Sequence, residues 1–313
     1  MGFNAQGAQP SLPDYPLGGP GNNVEPSKQF LIYNYISYMA VKYNDSAIEG
    51  YDLAVAGATV DNTDIPHGVD DFVTQVEKIY LPIYGAEAAQ NGTGNSSQTS
   101  GHSSRLSGAS VAVARRARQR FGRDLRKRKI PWDPASTLFT AYFGVNDVEV
   151  SLSNATAAAS WDQEFKTYGK LLDELYQTGA RNFLIPNLAP MDLAPGAGAG
   201  LKTLIADWNT RLETMARNFT SAYDEVTLFF FDTNMLFQQV IKDPSSYAET
   251  KGLTNVTDYC PAYEKYGSTQ VARPTDTGAG CAGTFEQYLW RDGLHPGLAM
   301  NIVMAKEIVD GLR

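Results

Sequence analysis

The sequence predicts an α/β fold in three layers, with helices covering both faces of a parallel sheet. Three observations predict it. Short apolar runs of strand length recur at 51–56, 137–143, 181–186 and 226–232. Between and around them lie stretches with the apolar spacing of helices, at 30–43, 69–83, 161–178, 201–223 and 298–312. With 313 residues, 43% of them hydrophobic, the chain can bury one sizeable core, so a single domain spanning 1–313 is expected.

Taken in order, residues 1–27 are rich in Gly, Pro and Asn and read as a loop ahead of the first helical stretch. The first strand run, Leu53-Ala54-Val55-Ala56, ends directly on Gly57. Segment 87–129 differs in kind: the tract Asn91-Gly92-Thr93-Gly94-Asn95-Ser96-Ser97 leads into ten of the chain's 26 Lys and Arg, between Arg105 and Lys129. Such a composition buries too little apolar surface to offset its ordering entropy, so a low-complexity basic insertion without fixed structure is expected. It reads as a solvated loop or a translated intron, or functionally as a tether to nucleic acid or an anionic surface. The second strand run, Leu138 to Phe143, ends on Gly144. Stretch 201–223 sets Leu204, Ile205, Trp208, Leu212, Met215 and Phe219 near i, i+4, i+7 spacing, which lays it along one sheet face.

Residues 244–284 carry Gly, Pro and Asp throughout and read as a loop with little packing of its own. The chain's two cysteines, Cys260 and Cys281, lie within it. A disulfide between them would remove about 3 kcal/mol of unfolded-state entropy in the chain-entropy model. Two free, buried thiols are the alternative. A metal site would need a second Cys/His cluster, and none accompanies them.

A net charge of −8 and a pI near 5.0 argue against nucleic acid as partner of the whole molecule, which would need a basic face. No run approaches eighteen apolar residues, so no membrane helix is expected. The first residues show neither a basic n-region nor an apolar h-region, so no signal peptide is read there. Six Asn-x-Ser/Thr sequons, at Asn44, Asn91, Asn95, Asn154, Asn218 and Asn255, together with the sparing use of cysteine, point to an extracellular protein. No Gly-rich phosphate loop or paired metal cluster implies a cofactor. No heptad seam asks for a second copy, so a monomer is expected.

Two motifs carry chemistry. Trp290-Arg291-Asp292-Gly293-Leu294-His295-Pro296 stands just before the last helical stretch. A serine hydrolase needs a base that takes the hydroxyl proton and a carboxylate that fixes the imidazole tautomer. The three-residue spacing of Asp292 and His295 lets one turn hold both; the other reading is a helix start with a capping Asp. Gly144-Val145-Asn146-Asp147 follows a strand run, where open α/β sheets bind substrates. An Asn146 amide there could donate to an oxyanion, or the motif could be an Asn-Asp turn that ends the strand. Gly57 could add an unshielded backbone N–H as a second donor. His67 and His102 lack an acidic partner at short spacing and read as surface residues.

The order Gly57, Asn146, then Asp292 with His295 resembles blocks II, III and V of the SGNH (GDSL) hydrolases. The text around Gly2-Phe3-Asn4, Gly57-Ala58-Thr59-Val60-Asp61 and Phe143-Gly144-Val145-Asn146-Asp147-Val148 is similar to the fungal secreted acetylesterases of carbohydrate esterase family 16. The resemblance covers most of the chain outside 87–129. It implies a flavodoxin-like three-layer fold and hydrolysis of acetyl esters on small carbohydrates, with Gly57 and Asn146 as oxyanion donors, Asp292 as orienting acid and His295 as base. It also implies a Gly-Asp-Ser block ahead of the Gly2-Phe3-Asn4 stretch, and Gly-Asp-Ser occurs nowhere in the sequence. The nucleophile therefore has no position here, the fold's first strand is expected to be missing with it, and the chain as it stands is expected to be nearly inactive. A carbohydrate-binding descendant without catalysis is the other reading of that absence.

Overall fold

The computed structural model describes residues 34–45, 48, 50, 52–85, 133–264 and 273–313. Three strands pair in parallel in the order β1 (Leu138–Thr140), β2 (Asn182–Pro186), β3 (Thr227–Phe231). Phe139 lies opposite Phe183, and Ile185 opposite Phe230. Successive residues of β2 point to opposite faces. Phe183 and Ile185 enter a core with Tyr168, Leu171 and Leu172 of α4 (Trp161–Gln177) and Ile205, Trp208 and Leu212 of α5 (Leu201–Ala222). Leu184 enters the opposite core with Tyr35 of α1 (Tyr35–Val41), Leu236 and Phe237 of α6 (Thr233–Lys242), and Met300, Val303 and Met304 of α7 (Leu298–Leu312). Each of these large side chains contributes about 1.5–3 kcal/mol on burial, so both faces of the sheet hold their helices. This is a three-layer α/β/α arrangement with three strands among the described residues.

The long helices sit where their periodicity placed them. Others differ from expectation for local reasons. The 69–83 stretch is wound as a π-helix over Thr74–Gly85, with Pro82 inside it removing one N–H donor. Its start is fixed by buried Asp71, whose Oδ1 accepts from Thr74 N at 2.7 Å. Of the 51–56 run, the described residues form no strand: residues 52–55 have no ladder partner among the described residues, and strand propensity alone cannot satisfy backbone groups. The strand expected over 137–143 pairs only across Leu138–Thr140, because the chain then turns into a short helix, α2 (Val145–Ser153), followed by α3 (Ala155–Ala159).

The 244–284 region has more packing than its composition suggests. Cys260 and Cys281 form a disulfide with their Cα atoms 5.6 Å apart. Around it Tyr263, Phe285, Tyr288 and Leu298 make a third, small core. The fully buried Tyr263 hydroxyl donates to Gly283 O at 2.6 Å and accepts from Gly278 N at 3.1 Å, tying the loop to itself. Segment 87–129 lies outside the described residues. Among the described residues no helix is long and apolar enough to cross a membrane.

Candidate active site

The Asp292 turn is closed by backbone bonding: Arg291 N donates to His295 O at 2.9 Å, and Trp290 bridges Pro296. Inside it, Asp292 Oδ1 accepts from Leu294 N at 2.9 Å and from His295 N at 2.7 Å. The same carboxylate lies 2.9 and 3.0 Å from His295 Nδ1. Its other oxygen accepts from Arg291 Nε at 3.0 Å and Nη2 at 2.8 Å. The Arg291 side chain is 10% exposed and that of His295 55%, so the cation and carboxylate are sunk while the imidazole faces out. Such a carboxylate fixes Nδ1 as the protonated ring nitrogen and leaves Nε2 as a base.

Burial alone would raise the Asp292 carboxyl. The bonds from the His295 ring, from the backbone of His295 and Leu294, and from Arg291 outweigh it and hold the group well below the usual carboxylate range. A depressed folded value contributes stability that is present above the unfolded value and lost as pH falls through the folded one. Urea midpoints taken downward from pH 5 should therefore drop more steeply for the parent than for Asp292→Asn. Parallel acid limbs would show that Asp292 carries no such linkage.

Gly57 and Asn146 come together through backbone. Gly57 has a φ of +86°, and the half-buried Asn146 donates from Nδ2 to Ala58 O at 2.8 Å. One residue on, the buried Asp147 accepts from Val60 N at 2.9 Å through Oδ1. These two bonds span 88 and 87 residues of sequence and lock the 57–60 loop onto the first turn of α2. Asn146 thus stands on a helix N-terminus rather than in a strand-ending turn, beyond the carboxyl end of β1. The amide nitrogen keeps a second N–H for another acceptor.

Among the described residues no hydrogen bond joins Asn146 to His295. The two pairs are connected through the loop that follows β2. Gly196 N donates to Gly293 O at 2.7 Å, and a Cβ built on Gly198 would lie 2.5 Å from Leu152 of α2. Glycines there let the loop run main chain against the Leu152 side chain of α2 on one side and against the backbone of the Asp292 turn on the other.

Three neighbours of these groups escaped sequence reasoning. His67 is exposed as expected, yet its Nδ1 hydrogen-bonds Gly57 O and braces the loop. Arg291 shares Asp292 with His295, although it sits inside a motif already singled out. Glu164 is fully buried on α4, an environment set by its neighbours in space. Among the described residues no group of His, Cys, Asp and Glu is arranged to hold a metal ion.

Comparison with known proteins gives a consistent result. The family described as GDSL-like Lipase/Acylhydrolase matches residues 18–308. An acetylesterase of Thermothelomyces thermophilus is 22% identical over 317 residues, covering 99% of this chain and 83% of that protein. A GDSL esterase/lipase of Arabidopsis thaliana is 25% identical over 155 residues, 47% of this chain and 38% of its own length. The thermolabile hemolysin of Vibrio parahaemolyticus is 24% identical over 187 residues, 57% of this chain and 42% of its own length. A match running through nearly the whole described fold, with a carboxylate-held histidine at the end of it, makes this chain a member of the GDSL lipase/acylhydrolase family of ester hydrolases.

Proposed function

We propose that this chain belongs to an extracellular carbohydrate esterase of family 16 type, which removes acetyl or other short acyl groups from small carbohydrate esters such as xylan or cello-oligosaccharide fragments. The observation that carries the reading is the bonding of His295 Nδ1 to Asp292, which leaves Nε2 of an exposed ring to take a hydroxyl proton. A serine hydroxyl attacks the acyl carbon as His295 Nε2 accepts its proton. The tetrahedral oxyanion is met by the Gly57 N–H and an Asn146 amide N–H, and the imidazolium returns the proton to the leaving sugar oxygen. Water then repeats the sequence on the acyl-enzyme. The acetylesterase relative supports the acyl group, and the disulfide and sequons support the secretory route. The protein acts as a monomer, without a cofactor.

Gly-Asp-Ser occurs nowhere in the 313 residues, so this chain by itself should turn over an aryl acetate only weakly. The same absence favours a second reading, a glycan-binding protein that keeps the cleft without the chemistry. The test is hydrolysis of 4-nitrophenyl acetate by the chain, by its His295→Ala variant and by a form carrying Gly-Asp-Ser ahead of Gly2, with calorimetric titration of acetylated xylo-oligosaccharide alongside. Robust His295-dependent turnover by the unextended chain would overturn its predicted inactivity. Absence of His295-dependent turnover in the extended form would overturn the esterase reading, and saturable glycan binding in that case would establish the second.

A further inference from the structure

Behind the clamp that joins the 57–60 loop to α2 lie two acids with unused bonding capacity. Asp147 spends Oδ1 on Val60 N, while Oδ2 is buried. Glu164, fully buried on the inner face of α4, has both carboxylate oxygens shut away from solvent. None of these three oxygens makes a well-aligned hydrogen bond among the described residues, the Asp61 backbone offering Glu164 only a weak one. Buried carboxylates in this condition are costly, and the charge of Asp147 acting on Glu164 makes two ionised ones costlier still. A single proton between them removes one charge and supplies the missing donor.

Resting on the esterase reading above, we propose that Glu164 is a positioning residue: its protonated carboxyl donates to Asp147 Oδ2, and this acid pair holds the 57–60 loop, and with it the Gly57 and Asn146 donors, in register. Asp147 then accepts from Val60 on one oxygen and from Glu164 on the other, and every buried carboxyl oxygen but one has a partner. Burial, followed by the like charges of Asp147, Asp64 and Asp61, pushes Glu164 up to about 9. Burial pushes Asp147 up to about 6, against the pull of backbone N–H groups and of His67. The groups facing the pair are thus Asp61, Asp64 and His67 from the 57–71 loop, and from α4 Tyr168, whose hydroxyl donates to Ala141 O at 3.1 Å.

The folded chain keeps the Glu164 proton to about 9 while the unfolded chain releases it near 4.5, so stability declines as pH rises across that window. Glu164→Gln should flatten the decline and still donate to Asp147 through its amide.

The test uses the full chain, labelled with 13C and 15N, and reads the carboxyl carbons of Asp147 and Glu164 and the exchange rate of the Val60 amide from pH 5 to 10. Glu164 is expected to give a protonated carboxyl shift at pH 7, and Asp147→Asn should return its titration toward the ordinary glutamate range. Val60 protection should survive in Glu164→Gln and fall at least ten-fold in Glu164→Leu. An ionised Glu164 at pH 7, or equal Val60 protection in the Gln and Leu variants, would overturn the proposal. Neither readout needs ester turnover, so failure of the esterase reading and failure of the acid pair are separately visible.

Discussion

Gly144→Ala is expected to lower the melting temperature by on the order of 5–15 °C. The residue combines two demands that no other side chain meets. Its φ of +115° lies in the region that favours glycine, a strain of about 1–3 kcal/mol for alanine. A Cβ there would also stand 2.2 Å from Trp208 Nε1 and 2.3 Å from Cε2. Trp208 is fully buried, edge-on to Trp161 with ring centres 5.2 Å apart and 4.7 Å from the Phe165 ring, so it has nowhere to retreat. Overpacking of this kind adds about 1–3 kcal/mol. Gly68 separates the two costs, because its φ of +75° is also positive but nothing lies within 4 Å of the position a Cβ would take. Gly68→Ala should show the strain alone. Melting curves for both variants check the claim, and equal shifts would remove the Trp208 clash from it.

The second large effect is chemical. In the form that carries Gly-Asp-Ser, Asp292→Asn should lower kcat by about 10⁴-fold, the scale seen when a triad carboxylate elsewhere is made an amide. Asparagine Oδ1 can still accept from Leu294 and His295 backbone, so the turn survives. With that oxygen kept on the backbone, the amide NH₂ takes the place of Oδ2, which lies 3.0 Å from His295 Nδ1 and accepts from Arg291, both of them donors. Toward the ring it favours the tautomer with the proton on Nε2, which cannot act as base. Toward Arg291 it leaves a buried guanidinium short of an acceptor, at about 1–3 kcal/mol. The variant should therefore be folded but less stable, with kcat falling far more than binding. A kcat within ten-fold of the parent would remove Asp292 from the mechanism.

What could be read in advance followed the range over which each interaction acts. Leu204 to Phe219 repeat within one helix, so α5 and its buried face were legible from spacing, as was the three-residue reach from Asp292 to His295. The helix over Val145–Ser153 was not, because Gly-Val-Asn-Asp has the local preferences of a turn and becomes helical through packing and the Val60 and Ala58 bonds. Leu53 to Val55 has strand composition without a strand, since pairing depends on a neighbour and not on the run itself. Nothing in the local sequence of the 161–178 stretch sets Glu164 apart from its other acidic residues. Its burial is set by segments a hundred residues away, and no window of sequence contains that information.

The meeting of Gly196 with Gly293 has a bearing on how this molecule can be dissected. The link between the β2 loop and the Asp292 turn is made wholly by main chain, at 2.7 Å from N to O, and a Cβ on Gly196 would meet Gly293 O at 2.9 Å. Deleting side chains one at a time would pass over it in silence and report the two loops as independent. Only adding bulk exposes the dependence: a side chain at 196 pushes against a carbonyl two residues from the imidazole. Diversity introduced around this site is thus safer in loops that do not carry this contact, and a library that varies position 196 would be shifting the turn that holds His295 at the same time.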